Sequence, residues 1–169
     1  MRRANLELKD RAGIIAVLEE SDVCRIGMYA DGEVYIVPMN FGYELSDAGM
    51  LTLYFHCAGE GRKLDMIAKN PEVCFEMDTG HFLVRDESGN AVNGKGSDAC
   101  SYLMHYSSII GNGRIEIITD HEDKISALTQ LMKHYSDEDS FEFNEKTLAR
   151  TTVLRLTSTS FTAKKNNAD

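Results

Sequence analysis

The residues best placed to do chemistry are two cations, Arg62 and Lys63, that follow a glycine turn, Gly59-Glu60-Gly61. There an apolar strand ending in Phe55-His56 gives way to a helix. Cations are the wrong charge for a helix start, where the exposed N–H groups are already positive, and each costs about 0.3–1 kcal/mol. An anion seated on those N–H groups removes the cost and gives both side chains a partner; the glycines let main chain come close to it. The segment reads as a phosphate cradle, the alternative being two solvated surface cations. It is neither a P-loop nor a dinucleotide fingerprint. His56 lies one residue past the apolar run. It is either an imidazole facing a bound molecule, able to orient it or supply a proton, or a hydrogen-bonded core histidine. Tyr106-Ser107-Ser108 offers hydroxyls to a phosphate or a flat ring edge, or is ordinary polar strand.

Other chemistries find little support. The remaining histidines are His81, His105, His121 and His134, and no pair among the five has ligand spacing with a nearby Cys or carboxylate, so no metal site is expected. His121 and His134 read as surface residues near helix ends. No G-x-S-x-G elbow is present. With a net charge of −9, the surface repels phosphate backbones and anionic membranes, so neither nucleic acid nor membrane is an expected partner. An anionic ligand would need a local basic site, which sharpens interest in Arg62 and Lys63. Of Cys24, Cys57, Cys74 and Cys100, none forms a C-x-x-C pair and three sit in apolar runs, which reads as buried thiols in a reducing compartment. No apolar stretch follows Arg2-Arg3 and no run reaches membrane-span length, so a cytoplasmic location is expected.

The elements that must position these residues follow from the pattern. The 169 residues fit a single domain, with its core over about 10–161 and a polar tail from Lys164 to Asp169. Asp10 is placed to cap a first helix with Ile14, Ile15, Val17 and Leu18 as its apolar stripe. Val23 to Met28 and Val34 to Phe41 form a hairpin through Asp31-Gly32, a type I′ turn. Pro38 cannot donate to a ladder, so the second strand is expected at an edge or bulge. Beyond it Met39, Asn40 and Phe41 would leave backbone groups for a flat polar ligand. Leu51 to His56 is a strand. The helix opening at Arg62 buries Leu64, Ile67 and Ala68 and stops at Asn70-Pro71. Val73 to Met77 is a strand, residues 79–100 a long loop, and Ser107 to Ile118 a strand bent at Gly111 and Gly113. Asp120 caps a helix with Ile125, Leu128, Leu131, Met132 and Tyr135 on one face. The last strand is about Thr152 to Phe161. Hairpins and short links favour antiparallel pairing, and no regular βαβ alternation appears. The expected fold is mainly β with flanking helices, a six-stranded antiparallel barrel.

Four segments together carry a family resemblance. They are Val37-Pro38-Met39-Asn40-Phe41; Leu53-Tyr54-Phe55-His56 with Gly61-Arg62-Lys63-Leu64; Asn70-Pro71-Glu72-Val73-Cys74-Phe75-Glu76; and Tyr106-Ser107-Ser108-Ile109-Ile110-Gly111-Asn112-Gly113. From about Asp10 to Phe161 the chain resembles the flavin-mononucleotide-binding split-barrel superfamily. Within it the chain is most similar to the nitroimidazole-resistance group, related to pyridoxamine phosphate oxidase. The resemblance implies a split β-barrel and a homodimer with flavin at equivalent sites between subunits. It implies FMN as cofactor, with FAD as the alternative. Arg62 and Lys63 would hold the phosphate. Pro38, Met39 and Asn40 would lie along the ring, and Phe55, His56, Ser108 and Ile109 would complete the site. His56 would stand close to flavin and substrate, in a catalytic role. The implied activity is an oxidoreductase reducing a small electrophilic acceptor such as a nitroaromatic. The alternatives are a flavin-binding sensor or carrier without fast turnover, and pyridoxamine phosphate oxidase-like activity. Against the last, Arg155 and Lys164 stand alone, where the vitamin-forming oxidases carry a basic cluster near the C-terminus.

Overall fold

The computed structural model describes residues 3–85 and 104–166. They form two compact units. One takes the described residues of Met1–Ser21, Met77–Ile109 and Thr162–Asp169; the other runs over Asp22–Glu76 and Ile110–Phe161.

In the first unit a 3-10 turn (Ala4–Leu6) and a short strand β1 (Glu7–Leu8) precede α1 (Arg11–Glu20). Asp10 caps this helix as expected, its carboxylate accepting the Gly13 N–H at 2.7 Å. Val17 and Leu18 are buried, and the buried Ser21 hydroxyl donates to the Val17 carbonyl at 2.7 Å. β1 pairs antiparallel with the end of the last strand, β8 (Thr151–Asn166), Glu7 opposite Lys164 and Leu8 opposite Ala163. The expected polar tail is therefore strand as far as Asn166: Ala163 is buried and its neighbour has a ladder partner, a pairing too distant in sequence for local polarity to reveal. β6 (Glu72–Leu83) likewise runs on past Met77, into residues expected to be loop. Residues 86–100 of that expected loop, with Gly89, Gly94, Gly96 and Cys100, lie outside the described residues.

The second unit holds β2 (Cys24–Ala30), β3 (Glu33–Met39), β4 (Gly42–Leu45), β5 (Leu51–Ala58) and α2 (Arg62–Lys69). It also holds the start of β6, the later part of β7 (Met104–Ile118), α3 (His121–Tyr135), α4 (Glu145–Arg150) and most of β8. The β2–β3 hairpin turns at Asp31 and Gly32, both with positive φ (52° and 82°), as a type I′ turn requires. The sheet runs β3-β2-β6-β7-β8-β5-β4, with β1 on β8. β3 is terminal, so Pro38 does sit on an edge strand.

The sheet has eight strands rather than the expected six, and its path is open. The reason lies at Asn40–Phe41. β3 pairs with β2, while β4, two residues on, pairs with β5 from Gly42↔Tyr54 to Leu45↔Leu51. One stretch of chain thus supplies both ends of the sheet by bending and changing partner. Sequence pattern reads it as a single strand because its alternation hardly breaks. Gly42 permits the change, since a methyl there would overlap the backbone of Gln130 and Leu131 in α3.

Strand alternation builds the core. Leu51, Leu53 and Phe55 on β5, Ile26 and Met28 on β2, and Leu154 and Leu156 on β8 are all buried. A smaller cluster joins Ile118, Ala127, Leu128, Leu148 and Val153 under α3 and α4. Asp120 caps α3 through the Asp123 N–H at 3.0 Å. α4, which the sequence pattern did not suggest, is capped by Asn144, whose side chain accepts from the N–H groups of Lys146 and Thr147. In α2 the buried residues are Met66 and Ile67, so its inner face is rotated from the expected Leu64, Ile67 and Ala68. Ala68 is exposed because amphipathicity over eight residues is satisfied by either face.

Candidate functional site

The site is framed by two strands that part company. β5 keeps its β8 partner as far as Ala58↔Thr151, but its last β4 pair is Gly42↔Tyr54. Among the described residues, Phe55–Ala58 therefore has one edge without a ladder. β3, at the end of the sheet, also has one. Unpaired strand edges present rows of N–H and C=O groups, which a planar polar ligand can use. The Asn40–Phe41 bend follows β3 directly, and β5 leads through Gly59–Gly61 into the start of α2.

The bend is held by α3. Tyr135 Oη accepts the Phe41 N–H at 3.0 Å and donates to the Asp22 carbonyl at 2.8 Å. Asn40 Nδ2 donates to the same carbonyl at 3.4 Å. The His134 ring packs on Phe41 with centroids 4.5 Å apart, so His134 is half-buried rather than a surface residue. Tyr135 was expected in the apolar stripe of its helix; it is 39% exposed, and its hydroxyl satisfies main chain left without a ladder. Met39 is buried opposite Cys24, and Phe55 is in the core. Both can offer a ligand only main chain. Pro38 and Asn40 are exposed.

At the other end, α2 starts on Gly61, with φ 134° and ψ 163°, a conformation open essentially to glycine alone. Its carbonyl accepts the N–H groups of Leu64 and Asp65 at 2.9 and 3.2 Å. No side chain caps this helix, whereas Asp10, Asp120 and Asn144 cap α1, α3 and α4. Arg62 and Lys63 do sit in its first turn. Arg62 is not waiting for an anion, however: its Nη2 bonds Glu33 Oε2 at 2.8 Å and its guanidinium lies 4.7 Å from the centre of the Tyr35 ring. Both partners of the pair are largely exposed, so it is worth no more than about 1 kcal/mol. Lys63 is half-buried with no ion-pair partner among the described residues. Its charge reaches Cys57, whose half-buried thiol is nevertheless pushed above its ordinary pKa, burial outweighing the lysine.

His56 is exposed, which settles the choice left open by sequence: it is not a core histidine. On β5 it alternates with buried Phe55 and lies opposite Val153. Tyr54, on the same face, donates to Glu44 Oε2 at 2.7 Å, and burial, with that carboxylate behind it, raises the phenol above its usual pKa. Ser108 and Ile109 belong to the first unit, on β7; Ser108 is half-buried and Ile109 fully buried in that unit's core. Arg155 is held by Glu116 at 2.8 Å and by Asp123 at 3.8 Å, and Lys164 lies over the Tyr106 ring at 4.7 Å. The free cysteines differ from expectation: Cys24 is buried, Cys57 half-buried, and Cys74 exposed because strand alternation turns it outward. No described helix is long and apolar enough to cross a membrane.

Comparison with known proteins places this geometry. The family model for pyridoxamine 5'-phosphate oxidase matches residues 10–165. No curated protein matches the chain significantly. Among solved structures, the chain is similar to one described as a 5-nitroimidazole antibiotic resistance protein from Bacteroides thetaiotaomicron. The two share 32% identity over 95% of this chain and 86% of that one, with a TM-score of 0.75. Two more distant structures share the fold. A flavocytochrome from Azotobacter vinelandii has 18% identity over 99% and 72% of the two chains, with a TM-score of 0.77. A FAD and heme binding protein from Mycobacterium smegmatis has 17% identity over 96% and 74%, with a TM-score of 0.73. Matched over nearly its whole length, and with the strand order and α2 turn laid out as above, the chain belongs to the pyridoxamine 5'-phosphate oxidase family.

Proposed function

We propose that the protein is a flavin-dependent oxidoreductase that binds FMN and reduces a small electrophilic acceptor such as a nitroaromatic, in the cytoplasm. The observation that carries this reading is the start of α2. It is the one described α-helix without a side-chain cap, it opens on a glycine-only conformation, and its first turn carries Arg62 and Lys63. Those features fit a phosphate that takes the place of the missing cap. Tyr35, over which Arg62 lies, is five residues from Asn40 along β3, about 17 Å of strand. That span is comparable with an extended FMN, so a phosphate at α2 would leave the ring beside Pro38, Met39 and Asn40. Met39 and Phe55, both buried, would contribute main chain. Bound flavin would supply hydride or electron transfer; the protein supplies binding, orientation and access. The 5-nitroimidazole resistance relative, at 32% identity, favours a nitro compound as acceptor over pyridoxamine phosphate. So does Arg155, which is engaged by two carboxylates.

Exposed His56 would orient the acceptor or supply its proton. Being exposed, it can be replaced at little cost to the fold: His56→Ala should melt within a few degrees of wild type and keep flavin, while nitro reduction falls by about 100-fold, the low end for a positioned acid–base group. Unchanged turnover would remove His56 from the mechanism. A site shared between subunits also requires a homodimer. The β2–β3 face offers a surface for one: Tyr29, Val34 and Ile36 are 56%, 69% and 61% exposed beside a groove of about 470 Å3 floored by Gly27. Sedimentation of the flavin-loaded protein as a monomer would overturn that part.

A further inference from the structure

A second cavity, of about 760 Å3, opens at the β5–α2 turn, among Gly59 and Glu60, Lys124 of α3, Thr147 and Arg150 of α4, and Thr152 of β8. Half of the cations of this unit are engaged by carboxylates: Arg25 by Glu76, Arg62 by Glu33, Lys69 by Asp31, Arg114 by Glu72 and Arg155 by Glu116. Lys124 and Arg150 share the cavity, and neither has an ion-pair partner among the described residues. Lys124 Nζ makes one hydrogen bond, 3.3 Å to the Thr151 carbonyl. That bond steadies a half-buried stem and leaves two N–H donors. Arg150 ends α4, where the dipole favours a cation. Yet the carbonyls it would otherwise serve are taken: Thr147 O by the Thr151 hydroxyl at 2.9 Å, and Leu148 O by the Thr151 N–H. Its planar fork of donors has no partner among the described residues. Glu60 is the single carboxylate on the lining, against two cations, in a chain whose net charge is −9.

We propose that this cavity is a second anion site, for a small phosphate-bearing molecule. Arg150 would grip two phosphate oxygens and Lys124 would act as a compact charge, with the Thr152 hydroxyl beside them. Two cations and a hydroxyl suit a tetrahedral dianion better than a planar monoanion. Neither Arg62 nor Lys63 lines this cavity, although Gly59 and Glu60 of the same turn do, and the proposal does not depend on the flavin reading.

The test is calorimetric titration with inorganic phosphate, glycerol 3-phosphate and acetate, in an Arg62→Ala/Lys63→Ala background that removes the α2 cradle. Saturable binding of both phosphates, tighter than acetate, is expected to survive in that background. Arg150→Ala should weaken it about tenfold or more, the scale of a lost hydrogen bond to a charged group. Lys124→Ala should do the same, and Lys124→Arg should restore most of it, which a purely structural role for the Thr151 contact would not predict. Three results would overturn the proposal: no saturable binding in that background, acetate binding as tightly as phosphate, or phosphate binding indifferent to Arg150→Ala. A lower melting temperature in Lys124→Ala would leave Arg150→Ala as the deciding variant.

Discussion

If α2 holds the flavin phosphate, Glu33 is a competitor for it. In the structure Arg62 bonds Glu33 at 2.8 Å, and both side chains are more than half exposed. A phosphate must displace that carboxylate. A hydrogen bond from a charged donor is worth about 1.5–3 kcal/mol, while an exposed pair of this kind is worth about 0.2–1 kcal/mol. The net loss on Arg62→Ala is then about 0.5–2.8 kcal/mol, or about 2- to 100-fold in FMN affinity. Glu33→Gln should act in the opposite direction, tightening FMN by up to about fivefold as the competing pair disappears. Riboflavin lacks the phosphate, so neither change should move its affinity more than about twofold, within the ±0.5 kcal/mol of an ordinary surface substitution. Once Arg62 is alanine, Glu33→Gln should have no further effect apart from the removal of one nearby negative charge. Flavin fluorescence titrations of the four proteins with both ligands complete the cycle. Equal losses for FMN and riboflavin in Arg62→Ala would refute the reasoning, because the side chain would then support the ring or the fold. So would Glu33→Gln weakening FMN.

The bend and the core give two further expectations. Tyr135→Phe removes the hydroxyl that holds the Phe41 N–H and the Asp22 carbonyl, and should cost about 1–2 kcal/mol of stability by chemical denaturation. It should also shift the absorption band of bound flavin, because Met39 and Asn40 adjoin the released bend; a destabilised variant with an unaltered flavin spectrum would confine Tyr135 to a structural role. Buried Cys24 has its thiol pushed up to about 12, first by burial and then by Glu76, from an ordinary value of 9.0. Its folded-state pKa is the higher one, so its stabilising contribution is complete below pH 9 and is lost as pH rises toward 12. The wild type should therefore lose stability over that window more steeply than Cys24→Ala, and parallel alkaline profiles would contradict the assignment.

Much of the fold was legible where local chemistry decides it. Asp10 and Asp120 cap their helices, Asp31-Gly32 makes the type I′ turn, and Pro38 sits on an edge. The strands that escaped notice depend on distant partners. β1 exists because β8 reaches back to Lys164, and the β3–β4 break exists because α3 packs on Gly42 and Tyr135 takes the Phe41 N–H. The candidate site divides the same way. The α2 turn was visible because glycines and misplaced cations are local signals. That Arg62 is engaged by Glu33, 29 residues earlier, was not, since only the packing of α2 on the β2–β3 hairpin brings them together. Alternation on β5 carried the information that His56 and Phe55 face opposite ways, and the apolar run around them masked it.

The central claim, that the α2 turn is a flavin phosphate site, is tested most directly on protein purified without added cofactor or after reconstitution with FMN. The absorption spectrum is recorded, and the ligand released on denaturation is identified by mass. The account predicts flavin bands near one equivalent per chain, bleached by a chemical reductant, with FMN as the released molecule. A protein that stays colourless after incubation with FMN and FAD would contradict it.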